Sequence, residues 1–569
     1  MSYLAQLSEL SRTPITLCII TLDFCARTFG VAPCAGTGTP CFNTFPTCKN
    51  KPNYSRTTRD YRFSSLDAPL PFSAGERPYL KAVSYLSTEI RDSLTISGRT
   101  KAKFADEPDA DIGIDPYFAS RAVQPAVGTF WKKLIARNLN FKGRPFRILE
   151  GFSGLPEGEY QQRFAGIIDN IQLRGDEVEV EATDILRQLA DIEIPRSSDV
   201  KIVAAITAAQ TEITLTAVAG LPASGHGRIG DEIVHYGAIN TVTNVISGVT
   251  RGAHGTTAAA HRAQGRFQPC RTYWGNPFDI LRDMLLVDAV LPAHHVDTGA
   301  FTHWRNWPGG EVSFIAVVSE PTRLDRLYFE IIDQVDCRSW VGEDLRITIR
   351  RNTLNEPGRT YRAITDEAHI IYDSGGADLH EKSRLTRIAM YWDGTAVGRV
   401  GDVSTYHRLD MAVDADAESA NEYGTIIEKK VFSRWLRTGH QPEADLTRYV
   451  TNTLSRQLFR QRDAQPIIAV ELELKDSDLL TGRHVRVTTD ELLQADGQPL
   501  DRAIYQIVKR EFKGEKVALN LLQLPRVRFG FVAPNDAPVY AAATDAQKEF
   551  GFISDSRGLL SERPGYYIY

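Results

Sequence analysis

The sequence predicts a multidomain α+β protein that is rich in β-structure and begins with a Cys-rich unit. Its 569 residues exceed what one hydrophobic core supports, so we expect roughly three to five domains. Strand-like alternation of apolar and polar residues recurs along the chain, and helical spacing is confined to a few segments. Four of the seven cysteines lie between Cys25 and Cys48. These three observations define the predicted fold class.

Composition and charge exclude several classes of protein. Charged residues make up 24% and hydrophobic residues 42%, as in ordinary soluble proteins, and the net charge of −5 excludes a chain-wide basic footprint for nucleic acid. The apolar run from Ile15 to Leu22 is too short to span a bilayer and lacks the net positive start of a signal peptide. We therefore expect a strand there, no transmembrane segment, no specific nucleic-acid motif, and folding in the cytoplasm.

Shifts in composition divide the chain into six segments. The predicted segments are a Cys-rich unit at 1–60, a β-rich domain at 61–196, a small β-module at 197–268, α+β domains at 269–410 and 411–530, and a C-terminal docking tail at 531–569. The tail ends in the aromatic run Tyr566 to Tyr569, and such an end predicts docking on another surface.

Local patterns predict the individual elements. The alternating runs 164–173 and 178–182 flank Arg174-Gly175-Asp176, which predicts a hairpin. Asn276 before Pro277 predicts the start of a helix, because Asn caps helices and Pro suits their first turn. Apolar residues at helical spacing predict two further helices, one over 322–335 and one through 446–458. Strands are predicted over 345–350, 467–474, 485–488, 503–509 and 517–522.

Four cysteines at short intervals are the strongest candidates for a functional site. Cys25, Cys34, Cys41 and Cys48 are separated by eight, six and six residues. Structural zinc sites usually take two ligands from one tight knuckle, and no such knuckle occurs here. Iron–sulfur clusters accept longer loops, and the intervening prolines and glycines let the backbone fold closely around a cluster. Two disulfides are the remaining alternative and require an oxidising compartment. Spacing alone leaves all three open.

Other groups of polar residues carry weaker signals. Glu232 with His235, His254 and His261 lacks the spacing of a metal site. The pair His294-His295 with Asp297 is more typical of a solvated loop than of a catalytic site. The phosphate loop, the nucleophile elbow, the metalloprotease helix and the dinucleotide fingerprint are all missing from the sequence. These patterns predict a structural protein rather than an enzyme.

The run from Cys25 to Cys48, followed by Asn53-Tyr54, resembles the tail-tip or baseplate-hub proteins of phages with long non-contractile tails and of gene transfer agents. Later motifs in the same order extend the resemblance over nearly the whole chain. They are Val249-Thr250-Arg251-Gly252, Ser383-Arg384-Leu385-Thr386-Arg387, Glu422-Tyr423-Gly424, Phe432-Ser433-Arg434-Trp435 and the tail from Phe550 to Tyr569.

The resemblance implies β-rich hub domains that assemble as a homotrimeric ring in the virion tail. Such hubs close the distal end of the tail tube and contact distal tail protein, tape-measure protein and tail fibre or receptor-binding proteins. Some relatives hold a [4Fe–4S] cluster through four cysteines, and the matching residues here are Cys25, Cys34, Cys41 and Cys48. The alternative classes are an iron–sulfur redox enzyme and a secreted disulfide-linked adhesin.

Overall fold

Strands form most of the regular structure and are arranged in several sheets, which confirms the predicted β-rich, multidomain α+β class. The computed structural model of the chain describes residues 3–7, 9, 13–65, 76–86, 88–89, 99–109, 111, 114–121, 128–306, 312–342, 344, 346–352, 361–380, 384–419, 424–462, 465–493, 497–513, 516–523, 538–544, 552–553, 559–560, 563–564 and 566–567.

The first part of the chain forms a closed β-barrel. After the short helix α1 (Tyr3–Leu7) come β1 (Pro14–Cys25), β2 (Arg56–Ser65), β3 (Arg77–Leu86), β4 (Thr88–Glu89), β5 (Arg99–Ala105), α2 (Phe130–Arg137), β6 (Pro145–Phe152), β7 (Gln161–Arg174) and β8 (Glu177–Thr183). The barrel order is β1-β2-β3-β5-β8-β7-β6, and β4 lies outside it. Within the barrel, β2 and β3 pair in parallel, and the other described neighbours pair antiparallel. The predicted hairpin is confirmed as β7 and β8.

A small β-module follows the barrel and has a hydrophobic core of its own. After β9 (Glu193–Ile194), its strands are β10 (Ile213–Thr214), β11 (Gly225–Ile229), β12 (Glu232–Tyr236), β13 (Ala238–Asn240), β14 (Val245–Ser247) and β15 (Phe267–Gly275). One sheet has the order β10-β14-β13, and a second has the order β12-β11-β15 and continues into β16 (Phe314–Val318). Strand β15 therefore links the module to the rest of the chain.

The middle of the chain contains three of the seven α-helices that the structure describes. They are α3 (Pro277–Asp283), which continues as a π-helical turn over Met284–Asp288, α4 (Thr298–Arg305) and α5 (Leu324–Gln334), with β17 (Thr322–Arg323), β18 (Cys337–Val341) and β19 (Ile347–Arg351). The predicted cap is confirmed, since Asn276 Oδ1 accepts a hydrogen bond from the Phe278 amide at 3.0 Å. The helix predicted over 322–335 begins two residues later, because Thr322 and Arg323 pair with β9.

The last third contains two more sheets around a long helix. Its elements are β20 (Arg362–Thr365), β21 (Gly376–His380), β22 (Arg387–Gly394), β23 (Tyr406–Val413), α6 (Ala415–Glu418), β24 (Glu428–Phe432), α7 (Glu443–Gln461), β25 (Gln465–Glu473), β26 (His484–Leu493), β27 (Pro499–Lys513) and β28 (Lys516–Gln523). The larger sheet has the order β20-β26-β27-β28-β25-β21, and β4 pairs with β27. The predicted helix through 446–458 and the four strands after it are confirmed.

The C-terminal tail falls mostly outside the described residues. Within it, β29 (Phe552–Ile553) pairs with β32 (Tyr566–Tyr567), and β30 (Leu559–Leu560) pairs with β31 (Arg563–Pro564). Docking of this tail on another surface stays a prediction, as do the six domain boundaries.

Strand β1 is buried on both faces and joins the barrel to the larger sheet. Cys18, Ile20 and Leu22 point into the barrel core, where Phe63 stacks on Trp131 with ring centroids 4.9 Å apart. The alternate residues, among them Leu17 and Ile19, pack in a second core with strands of the larger sheet. The predicted strand at 15–22 is therefore a central one, which explains why it is apolar without alternation.

The β-module is held together by a buried carboxylate. Glu232 is 1% exposed and accepts hydrogen bonds from Arg251 at 2.7 and 2.8 Å and from the amides of Gly252 and Ala259 at 2.9 and 3.1 Å. His261 Nε2 lies 2.7 Å from Glu232 Oε2. Burial raises the pKa of this carboxyl, but the hydrogen bonds outweigh burial and lower the pKa to about 2. Glu232 is therefore ionised in the folded module at neutral pH.

We expect the module to lose stability in acid. Because the pKa of Glu232 is lower in the folded chain than in the unfolded chain, the ionised carboxylate stabilises the folded module. This stabilisation is fully present above about pH 4.5 and is lost as the pH falls toward about 2. Glu232→Gln should destabilise the module by about 3 kcal/mol or more, since it leaves Arg251 buried without its anion. Hydrogen exchange of residues 225–261 measures this change. Asp231→Asn, at a side chain that is 94% exposed, is the matched control, and equal exchange in both variants would contradict the account.

Candidate metal centre

The four clustered cysteines lie at one end of the barrel, where the chain passes from β1 to β2. Cys25 is the last residue of β1, and the loop 26–55 carries Cys34, Cys41 and Cys48. The Cys25 amide donates to the Asn43 carbonyl at 2.7 Å, and the Ala26 amide donates to the Ser55 carbonyl at 2.8 Å. The loop therefore folds back on its own base and brings Cys41 beside Cys25.

The Cys41 thiol lies within electrostatic range of the other three cysteines. The pKa of the Cys41 thiol is raised, chiefly by burial, and also by Cys48, Cys34 and Cys25. The pKa of the nearby Tyr54 hydroxyl is raised to about 12, chiefly by burial and also by Cys25, Asp23 and Cys48. Cys25 and Cys41 are 8% and 7% exposed, and the other two are half-buried. Cys25 and Cys41 are thus largely shielded from water, and Cys34 and Cys48 are partly exposed.

The donor set in this neighbourhood is chemically uniform. Residues 24–59 contain no Asp, Glu or His, so the four sulfurs are the available ligands, and thiolates select zinc, copper(I) and iron–sulfur clusters. Two polar contacts reach the sulfurs, because the Arg27 amide donates to Cys25 Sγ at 3.5 Å and the Cys41 thiol donates to Asn43 Oδ1 at 3.4 Å. The residue types therefore fit a thiolate-bound metal group.

The sulfurs have neither the geometry of a coordination shell nor that of disulfides. Across the part of the chain that the structure describes, no group of three or more His, Cys, Asp or Glu side chains is arranged to hold a metal ion. All seven cysteines are free thiols. The choice among a cluster, a zinc ion and two disulfides consequently stays a prediction from the sequence.

Two buried arginines clamp the loop through the ring of Phe42. The guanidinium carbon of Arg121 lies 4.1 Å from the Phe42 centroid, and that of Arg137 lies 3.9 Å from it. Arg121 also donates to the carbonyls of Pro40 and Cys41 at 2.9 and 3.0 Å. We call Phe42, Arg121 and Arg137 the arginine clamp. Cation–π contacts at desolvated sites contribute about 2 kcal/mol each.

Each arginine of the clamp is fixed by its own buried carboxylate. Arg137 makes two parallel hydrogen bonds to Asp111, at 2.8 and 2.9 Å. Arg121 pairs with Asp115 through Nε and through Nη2, the latter at 3.0 Å from Oδ1. Both carboxylates have fully buried side chains. Bidentate pairs of this kind fix the direction of the guanidinium plane, which places both cations on Phe42.

Further hydrogen bonds attach the loop to the same supporting segments. Thr44 Oγ1 donates to the Arg137 carbonyl at 2.6 Å. Tyr117 Oη donates to Asn43 Oδ1 at 3.0 Å and accepts from the Phe29 amide at 2.7 Å. The loop between β1 and β2 is therefore held by Tyr117, Arg121 and helix α2, in addition to any metal group that it binds.

The other residues singled out in the sequence lie elsewhere and have structural roles. Cys18 is fully buried in the barrel core, where burial raises the pKa of its thiol. Glu232 and His261 meet in the hydrogen-bond network of the module, whereas His235 and His254 pack on His226, with ring centroids 4.8 and 4.6 Å from it. Asp297 caps α4, since its Oδ1 accepts from the Ala300 amide at 3.1 Å.

The arginine clamp is the part of the site that sequence reasoning missed. Arg121 is 80 residues from Cys41, and no periodic pattern connects them. A weak signal was available, because Asp111 and Asp115 lie in an otherwise apolar stretch that precedes Arg121. Among the described residues, no helix has the length and apolar character needed to cross a membrane.

Comparisons with known proteins returned matches among solved structures alone. No protein-family model matches the sequence, and no curated protein matches it. A tail protein from Neisseria meningitidis MC58 is 10% identical, with 78% of this chain and 91% of that chain covered and a TM-score of 0.36. The 43 kDa tail protein of prophage MuSo2 from Shewanella oneidensis is 9% identical, with coverages of 79% and 95% and a TM-score of 0.37.

A chain of a native gene transfer agent particle is also similar. It is 12% identical, with 65% of this chain and 79% of that chain covered and a TM-score of 0.29.

Loosening the arginine clamp should expose Cys41. In reduced, metal-free protein, Arg121→Gln together with Asp115→Asn removes the ion pair without leaving a buried carboxylate unpaired. Two charge-assisted hydrogen bonds to the loop carbonyls are lost, so we expect Cys41 to react with a maleimide at least about tenfold faster.

The matched control is Arg62→Gln, which removes a half-exposed ion pair with Glu157 on the same barrel. Mass spectrometry of the labelled peptides measures the rate at each cysteine. A folded double variant in which Cys41 reacts at the rate of the control would show that the clamp does not hold the loop.

Proposed function

We propose that this chain is a structural protein of a phage tail, located at the tail tip, where it forms the baseplate hub. In this role it closes the distal end of the tail tube as a homotrimer and connects the distal tail ring to fibre or receptor-binding proteins. The observation that carries the proposal is the run of four cysteines followed by Asn53-Tyr54, which resembles hub proteins and lies in one folded loop.

We further propose that Cys25, Cys34, Cys41 and Cys48 hold a [4Fe–4S] cluster with a structural role. Support comes from the uniform sulfur donor set and from the fold of the loop, in which the Cys25 amide bonds the carbonyl of Asn43, two residues after Cys41. Charge also supports the cluster assignment, because a cluster with four thiolates is anionic, and residues 24–59 carry five cations and no carboxylate. The cluster would tie Cys25 at the end of β1 to three points of the loop.

The singled-out polar residues favour a structural role over an enzymatic one. Glu232 and Asp297, which sequence patterns offered as metal-binding or catalytic candidates, are used for an internal ion pair and a helix cap. Ring assembly accounts for a large chain whose function resides in its interfaces.

Metal and sulfide analysis tests the cluster. We expect about four irons and four acid-labile sulfides per chain after anaerobic purification, lost when any one of the four cysteines is replaced by Ala. Cys270→Ala is the matched control, since Cys270 lies in β15, far along the chain in the module link. One bound zinc per chain would show that the cysteines form a zinc site and not a cluster. Oxidised cysteines without metal would favour the secreted disulfide-linked adhesin.

Sedimentation of the same protein tests the hub separately. The proposal predicts a trimer that binds purified distal tail protein. A monomer that does not bind tail proteins but catalyses electron transfer, and that contains iron and sulfide, would instead identify an iron–sulfur enzyme.

A further inference from the structure

The loop that carries the cysteines differs in charge from the rest of the chain. Residues 24–59 contain five cations and not a single Asp or Glu, although the whole chain has a net charge of −5. The five cations are Arg27, Lys49, Lys51, Arg56 and Arg59. Arg27, Lys49 and Lys51 lie within the loop 26–55, and Arg56 and Arg59 follow in β2.

Three of these cations are exposed and have no carboxylate partner among the described residues. Arg27, Lys49 and Lys51 are all exposed, and the ion pairs of the described chain do not include them. Lys51 Nζ instead lies 5.3 Å from the centroid of the Phe45 ring. Arg56 pairs with Asp23 at 2.9 Å and is still 59% exposed. The positive charge therefore faces solvent.

Large apolar side chains are exposed at the same end of the barrel. Val31 and Phe45 in the loop are 57% and 51% exposed, and Leu139, directly after α2, is 72% exposed. The Thr44 hydroxyl bonds the Arg137 carbonyl, and Asn138 Nδ2 donates to the Asp23 carbonyl at 3.3 Å, so Leu139 lies beside the base of the loop. Exposure to water does not stabilise these apolar side chains, because apolar side chains are more stable when they are buried.

We propose that this end of the barrel, defined by the loop 26–55 and Leu139, binds the surface of a bilayer rich in anionic phospholipid. Exposed cations attract lipid phosphates, and exposed aliphatic and aromatic side chains enter the boundary between headgroups and acyl chains. Val31 and Leu139 favour a bilayer over nucleic acid, because aliphatic side chains provide no surface on which bases stack. The proposal is independent of the hub assignment and of the cluster.

Vesicle flotation with the full chain tests the proposal. The probes are vesicles of phosphatidylcholine alone and vesicles in which roughly one third of the lipid is phosphatidylglycerol. We expect binding to the anionic vesicles only, weakened by salt that screens the charges. Lys49→Glu with Lys51→Glu should lower the partition coefficient at least about tenfold, and Phe45→Ser should lower it about fivefold.

Matched controls come from the β-module, which is not part of the proposed surface. Lys201→Glu reverses an exposed lysine there, and Val242→Ser removes a side chain that is 90% exposed. Both should bind like the wild-type chain. The proposal is overturned by absent binding, by equal binding to both vesicle types, or by equal losses in the control variants. Binding of an oligonucleotide duplex in place of vesicles would also overturn it and identify nucleic acid as the partner.

Discussion

The packing of Phe42 between two buried guanidinium groups is the contact on which the arrangement of the candidate site depends. A loop of some thirty residues with one 3₁₀ turn at Lys51–Asn53 and no α-helix or strand has little apolar surface to bury, so specific polar contacts must determine its shape. Asp111 and Asp115 provide them by fixing Arg137 and Arg121, which in turn hold Phe42 and the carbonyls beside Cys41. The thiols are thereby placed before any metal group adds its own bonds.

Strand β1 connects the cysteine-bearing loop to the rest of the molecule. Its C-terminal residue is Cys25, and its two faces belong to two different cores, one inside the barrel and one against the larger sheet. A change in the loop therefore acts on the end of a strand that cannot shift without disturbing both cores. A metal group bound in the loop would therefore also stabilise the barrel, as expected of a structural metal site.

Much of the fold could be predicted, because local periodicity determines it. The apolar run at 15–22, the hairpin around Gly175 and the Asn276-Pro277 helix start each follow from neighbouring residues. The arginine clamp could not be predicted, since a hydrogen bond to a backbone carbonyl joins Arg121 to Cys41, 80 positions away, without a repeating pattern. The same limit applies to the pair of Glu232 and Arg251, because no periodic pattern joins these two residues.

The most direct test of the site is anomalous diffraction at the iron absorption edge from crystals of anaerobically purified full chain. The account predicts one compact iron peak enclosed by the sulfurs of Cys25, Cys34, Cys41 and Cys48, with Phe42 between Arg121 and Arg137. Sulfurs joined in two disulfides, or an iron peak held by other residues, would contradict it.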